Sequence, residues 1–587
     1  MLELSKIVKF WRSTHFISIL ALIFLSIFAL KSLTVPGFYT SHDGETHTAR
    51  IAQYAIAISD GQIPPRYANT LYSGLGSPIF VYIYPVPYLL GSAAHALGFT
   101  FADSFKLIMA LGFICSGIFA YLWLFEFFKS SKPAFLGALF YIWVPYRFSL
   151  IYVRGSISEL LAYTFLPLAL YSYTMLLKRK SLLWVALSAL ATSLVLLSQN
   201  LVAAITMPVL FSYVLLLGIL DKSPRYTHLS VSAFVWGAGV ASVTYLPALF
   251  ERKFIRFDEI ISKAYPDHFV TLKQLFHSPW GYGFDLPGTL SDQMSFQIGL
   301  AHVIVIALAS LVIIFQLAKK IFSFRKTDNL GADSRSLYIA IFFTTTFFLS
   351  ILLMLDGKFT KTIWDDFKIL HTIDIPWRLL GICSLASAFL AGFIARSAKS
   401  GLVFMILILA VLIANRNHLR INEPVIFSDN HFLNYSGTAT QYNEFTPIWR
   451  QSTKAPLGID PNTKVKTTPD VVDITNLLVS SKRISFNANV EAQTAEVRIN
   501  RFYFPTTEVI VDGKSLKPFS DFSISGSANL STPDEEDGSG MPLIRLAKGA
   551  HHVTVSYKET PLRQAADFLS AISVLTVLGI LLKHAKK

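Results

Sequence analysis

The stretch from Ser41 to Tyr88 gathers the residues best suited to chemistry. It begins SHDGETHTARIAQYAIAISDG and places His42, Asp43, Glu45 and His47 within six positions, directly after an apolar run. Carboxylates beside a membrane are expensive unless they face water or bind something. Asp43 has a plainer reading as a helix cap, where Asp is a favoured residue. From Thr46 to Ser59 the apolar Ile51, Tyr54, Ala55 and Ile58 recur at helical spacing, with Arg50 and Gln53 off that stripe. Asp60-Gly61 supplies the stop. The expectation is a short amphipathic helix on the membrane surface with a carboxylate at its start.

The elements that must position these groups follow from composition. Of 587 residues 53% are hydrophobic and 15% charged, with a mean hydropathy of +0.49. Soluble domains carry about 25% charged residues, so the chain reads as an integral membrane protein. Cys115 and Cys383 both fall in apolar segments, so they read as free thiols. The net charge of +14 would suggest a nucleic-acid partner in a soluble protein. Here the basic residues cluster between apolar runs, and no nucleic acid is implied.

Twelve membrane spans are expected. Lys6, Lys9 and Arg12 precede the first, Phe16 to Leu30, read as an uncleaved helix with a cytoplasmic N-terminus. Ser77 to Gly98 holds Pro78, Pro85 and Pro87 and reads as a surface segment. With that reading Lys129 with Lys132, Lys178 to Lys180, Lys222 with Arg225, Lys319 to Arg335, Arg396 with Lys399 and Lys583 to Lys587 all fall in the cytoplasm. The other spans are Asp103–Phe127, Ala134–Leu150, Ser158–Leu177, Leu182–Leu197, Leu201–Leu220, Leu229–Phe250, Phe296–Ala318, Leu337–Leu355, Pro376–Ala395, Leu402–Ala414 and Ala566–Leu582. Residues 1–414 thus form a transmembrane domain whose first outer loop is 32–102. Residues 415–563 turn polar, with alternating runs such as RISFNANV and HHVTVSY, and read as an outer antiparallel β-sandwich. The acidic Asp534 to Asp537 reads as a solvated loop, and residues 564–587 return the chain through the last helix to a cytoplasmic tail.

Under this topology the ionisable residues gather in one outer layer. Arg154 and Glu159 lie at one outer turn, and Glu251, Arg252, Lys253 and Arg256 follow another span. His302 lies a turn inside its helix, and Asp374 and Arg378 flank the start of the tenth span. Each has a bland reading. Arg154 and Glu159 could simply pair, Arg252 and Arg256 could anchor on headgroups, and Asp374 with Arg378 is a stabilising i, i+4 pair. The coincidence of acidic and anion-binding groups in one layer says more than any member. No charge is expected near the midplane, which argues against a proton-coupled transporter.

The runs HDGETHTARI, GQIPPRY and GLGSPIFVYIYPVPYLLG, with YVRGSISELLAYTFLPLALY, LPALFERKF and LFHSPWGYG further on, resemble the bacterial membrane-protein family known as 6-pyruvoyl-tetrahydropterin synthase-related. A pterin synthase is a soluble zinc enzyme, and no clustered histidines are present here to bind zinc. By layout the family looks like the GT-C class of membrane glycosyltransferases. The module with NEFTPIW, EVIVDGK and KGAHHVTVSYKETPLRQAADFLS is similar to YfhO-like membrane proteins.

The GT-C resemblance implies sugar transfer from a polyprenyl-phosphate donor to an envelope glycan, lipid or protein at the outer face of a bacterial plasma membrane. It carries over onto Asp43 as the candidate base. Arg154 is the first candidate for the donor phosphate, with Arg252 and Lys253 behind it. Glu45 and His47 would position the acceptor or support Asp43, with Glu159, His302 and Arg378 as supporting residues. No cofactor is implied with certainty, since Asp-Gly-Glu is not a clean D-x-D for a divalent metal. Two other functions remain open: a lipid-linked glycan flippase or other transporter, and a non-enzymatic envelope assembly protein.

Overall fold

Each expected span is helical in the computed structural model, which describes residues 14–585 apart from 289–292, 323–331, 399, 438–439, 441, 451–459, 461, 468–470 and 517–539. Lys6, Lys9, Arg12, Lys399, Lys586, Lys587, most of the basic stretch before Arg335 and the acidic run at Asp534 lie outside the described residues. The helices are α1 (Thr14–Ala29), α2 (Gly44–Ser59), α3 (Val86–Ala96), α4 (Phe101–Phe128), α5 (Ser131–Ile142), α6 (Pro145–Phe148), α7 (Ile157–Arg179) and α8 (Leu182–Leu196). After them come α9 (Asn200–Leu220), α10 (Pro224–Glu251), α11 (Leu300–Phe322), α12 (Ala332–Met354), α13 (Lys358–Asp366), α14 (Leu380–Ala398), α15 (Gly401–Asn415), α16 (Asp429–Leu433) and α17 (Pro561–Ala585). Among the described residues nine helices are long and apolar enough to cross a membrane, or ten with the bent pair at Ser131–Val153 as one span. The shorter apolar helices α1 and α8 stand at the other two expected spans. Residues Ser77 to Gly98 hold only a four-residue turn of helix and α3.

Pro145 explains the bent pair. It lacks an N–H and pushes the preceding Val144 into extended backbone (φ −127°, ψ 143°), so the helix axis turns by 51°. The bend carries Arg147 into the bundle, where it donates to Ser116 Oγ at 2.7 Å beside the Tyr141 ring. Ser116 lies near the middle of α4. The expected absence of charge at depth is therefore corrected: Arg147 is a fully buried cation there, 1% exposed.

The expected surface helix also differs. α2 starts and stops as its caps imply, but Arg50 and Gln53, on its polar side, are both buried. Gln53 donates to Leu433 O in α16, so a segment nearly four hundred residues on covers that face. Amphipathicity marks a helix with two environments, and here the polar one is protein.

Beyond α15 the chain pairs briefly with the first loop through β1 (Phe38–Tyr39) and β2 (Pro424–Val425). It then forms β3 (Val465–Thr467), β4 (Val472–Val479), β5 (Arg483–Ile499), β6 (Thr507–Val511), β7 (Lys514–Leu516) and β8 (Leu543–Tyr557). Where two facing sheets were expected, the described strands make one antiparallel sheet in the order β3-β5-β8-β6-β7, with β4 beside β3 along β5. A register shift between Val490 and Thr494 breaks β5 into two halves. Bulges bend a strand, and Phe486, Val490, Val497 and Ile499 from both halves share one apolar cluster. A bent sheet can so bury its own inner face. α17 is tied back through Arg563, whose guanidinium bonds buried Glu251 at the end of α10 (2.7 Å).

Candidate functional site

A cavity of about 730 Å³ opens where the loops following α1, α6, α8, α10 and α15 meet the start of α14. Asp43 stands on its wall. It occupies the cap position of α2, yet its side chain makes no capping hydrogen bond. Instead the carboxylate lies 3.6 Å from Arg154 Nη2 and is 37% exposed. The backbone holds this pair in register. His42 N donates to Val153 O at 3.0 Å, and Asp43 N donates to Arg154 O at 2.8 Å. The two loops approach so closely that only glycine fits between them. A Cβ on Gly155 (φ +62°) would come within 2.9 Å of the Gly44 backbone. Gly155→Ala should therefore cost about 1–3 kcal/mol and separate Asp43 from Arg154. A lowered melting temperature with reduced activity in the folded fraction checks this, and wild-type values for both would refute it.

Beneath Asp43 lies a buried ionic chain. Arg154 Nη1 bonds Glu159 Oε2 at 2.5 Å, and the Arg378 Nε lies 3.5 Å from the same oxygen. Arg378 also pairs with Asp374, and the Tyr146 hydroxyl donates to Glu159 Oε1. The Arg154 guanidinium sits over the Trp377 ring at 4.9 Å. The two bland pairings, Arg154 with Glu159 and Asp374 with Arg378, are both present and joined into one network. Arg154, Asp374 and Arg378 reach the cavity; Glu159 supports them from behind.

His47 also lines the cavity. The Tyr88 hydroxyl accepts from Arg50 Nη1 at 3.0 Å and meets His47 Nδ1 at 3.1 Å, so it can donate to a neutral imidazole. Burial, with Arg50 and Arg154 close by, holds the His47 imidazole well below its ordinary range. His47 thus acts as an uncharged brace for α2.

Other sequence candidates lie elsewhere. Glu45 pairs with His431 at 2.7 Å. Arg252 pairs with Asp258 at 3.2 Å, and Lys253 lies over Phe254. His302 is buried against Phe140 O at 3.0 Å. None of these four lines the cavity. The sequence set them in the same layer, but their side chains do not line this space. In their place the cavity takes Arg50, Gln199, Asn200, Asp285, Tyr442 and Glu444. The polar pair Gln199-Asn200 between two apolar runs, and the quoted motif holding Glu444, were the available signals. Among the described residues no group of three or more His, Cys, Asp or Glu side chains is placed to hold a metal ion.

Fold and site together define a polytopic helical membrane protein with an appended antiparallel sheet and a charged cavity. The chain belongs to the family described as "6-pyruvoyl-tetrahydropterin synthase related domain; membrane protein", whose profile matches residues 80–419. That match includes Arg154, Glu159 and Arg378 and begins after Asp43. No curated protein matches the chain. Among solved structures it is similar to the Archaeoglobus fulgidus oligosaccharyltransferase in complex with zinc and sulfate, with a TM-score of 0.38 and 14% identity over 73% of this chain and 54% of that one. The chain thus spans about half the length of that neighbour.

Proposed function

We propose that this protein transfers a sugar from a polyprenyl-phosphate donor to an envelope acceptor at the outer face of a bacterial plasma membrane. The observation that carries the reading is the composition of the cavity wall. Asp43, Arg154, Arg50 and Arg378 share it with the rings of Tyr84, Phe257, Tyr282 and Tyr442. Guanidinium forks match phosphate oxygens. Aromatic faces suit the apolar C–H faces of a sugar ring, whose hydroxyls seek carboxylates and amides. The GT-C-like layout of the sequence and the basic residues on the opposite loops support the class and the orientation.

In this mechanism an acceptor hydroxyl attacks the anomeric carbon while Asp43 takes its proton, for which the carboxylate must be ionised. The carbon–oxygen bond to phosphate breaks, and the electron pair leaves on the lipid phosphate. That group departs as an anion, so it needs cations in place rather than a proton. Arg154 is the first of these, beside Asp43, with Arg50 and Arg378 on the same wall.

Donor binding tests the assignment. Arg154→Ala in solubilised protein should weaken the affinity for a polyprenyl-phosphate sugar by about 10-fold or more, the usual scale of a charged hydrogen bond. Arg154→Lys should restore only part, because an ammonium lacks the fork. Equal affinities in wild type and both variants would remove Arg154 from the donor site.

A further inference from the structure

One wall of the cavity is not built by membrane helices. Described residues that follow α16, 435–437, 440 and 442–450, border it as a strap fixed at both ends. At one end Thr70 Oγ1 donates to Tyr435 O at 2.7 Å and Ser73 N donates to Ser436 O at 2.8 Å. At the other, Arg256 N donates to Thr446 O at 3.1 Å and Ile448 N donates to Phe254 O at 3.2 Å. Phe254 and Arg256, just after the phosphate candidates Arg252 and Lys253, serve here as the mooring for this strap. So held, it lays Tyr442, Glu444 and Phe445 against the cavity.

Glu444 contrasts with Asp43 across this space. It is 8% exposed, accepts from Thr440 Oγ1 at 2.5 Å, and makes no ion pair among the described residues. Burial, outweighing the Thr440 bond, holds its carboxyl above the usual carboxylate range. A buried carboxyl beside aromatic rings is poorly suited to a phosphate and well suited to a neutral hydroxyl. It also discriminates, because a ligand lacking that hydroxyl leaves the rest of this buried carboxyl's hydrogen-bonding capacity unmet.

We propose that Glu444, flanked by Tyr442 and Phe445, is a specificity-determining residue that hydrogen-bonds a ring hydroxyl of the transferred sugar and so selects among sugar epimers. This rests on the sugar-transfer reading. The test uses the full-length solubilised protein with polyprenyl-phosphate glucose, galactose and mannose, and polyprenyl phosphate without sugar as a control. Wild type is expected to prefer one epimer. Glu444→Ala should reduce that preference by about 10-fold or more, and Glu444→Gln by a smaller factor, with binding of the bare polyprenyl phosphate unchanged in both. A preference that survives in Glu444→Ala overturns the assignment of Glu444 alone. Loss of bare polyprenyl-phosphate binding in both variants also overturns it, since the carboxyl would then be shaping the cavity. Wild-type protein that binds none of the three sugars overturns the transfer reading and this assignment with it.

Discussion

Asp43→Asn is expected to leave the protein folded and to lower sugar transfer by about 100-fold or more, the usual scale for losing acid–base assistance. Asn is isosteric with Asp but takes up no proton near neutral pH. The structure sharpens the comparison with Asp43→Ala. Losing a capping side chain costs about 1 kcal/mol, but the Asp43 carboxylate makes no capping bond. Its contact with Arg154 is loose, at 3.6 Å, and partly open to water. Asn and Ala variants should therefore melt within a degree or two of wild type and be equally inactive. Transfer at the wild-type rate by Asp43→Asn would end the case for a base here. A large loss of stability in Asp43→Ala, with activity intact in what folds, would restore the cap.

Glu159→Gln should have the opposite signature. Glu159 is fully buried and faces both Arg154 and Arg378. Removing its charge leaves two buried guanidiniums sharing one partner fewer, and breaking such a pair costs about 3–5 kcal/mol. The variant should give less folded protein and a clearly lower melting temperature in detergent. The double variant Arg154→Gln with Glu159→Gln removes both charges, leaving Arg378 with Asp374. It should recover much of the stability and still fail to bind donor. A Glu159→Gln protein that melts like wild type would show that this network does not hold the span ends together.

The contrast between Asp43 and Glu159 bears on what sequence can say. Both were visible as ionisable groups in one outer layer, and both were given a bland alternative. For Asp43 the alternative was a cap, and the geometry of Arg154 draws the carboxylate away from the helix end. For Glu159 it was a pair with Arg154. That pair forms, and Arg378, more than two hundred residues away, makes it a chain.

The sequence alone determined most of the spans, because apolar length is a local property: ten of the twelve expected runs, with the bent pair as one, are long and apolar enough to cross, and α1 and α8 are shorter. It also determined that a strand-rich region follows residue 415, because alternation has a period of two, and that charged groups gather at the span ends. A layer, however, is a single coordinate. Depth placed Arg252, Lys253, His302 and Arg378 at about one level, but only packing sets the direction each faces. Of these, Arg378 alone reaches the cavity. Tertiary structure likewise decided that α2 is covered by α16, that Pro145 turns Arg147 inward, and that the strap brings Glu444 to face the cavity. These outcomes join residues far apart in the chain, and hydrophobic periodicity records that a face is buried without recording what buries it.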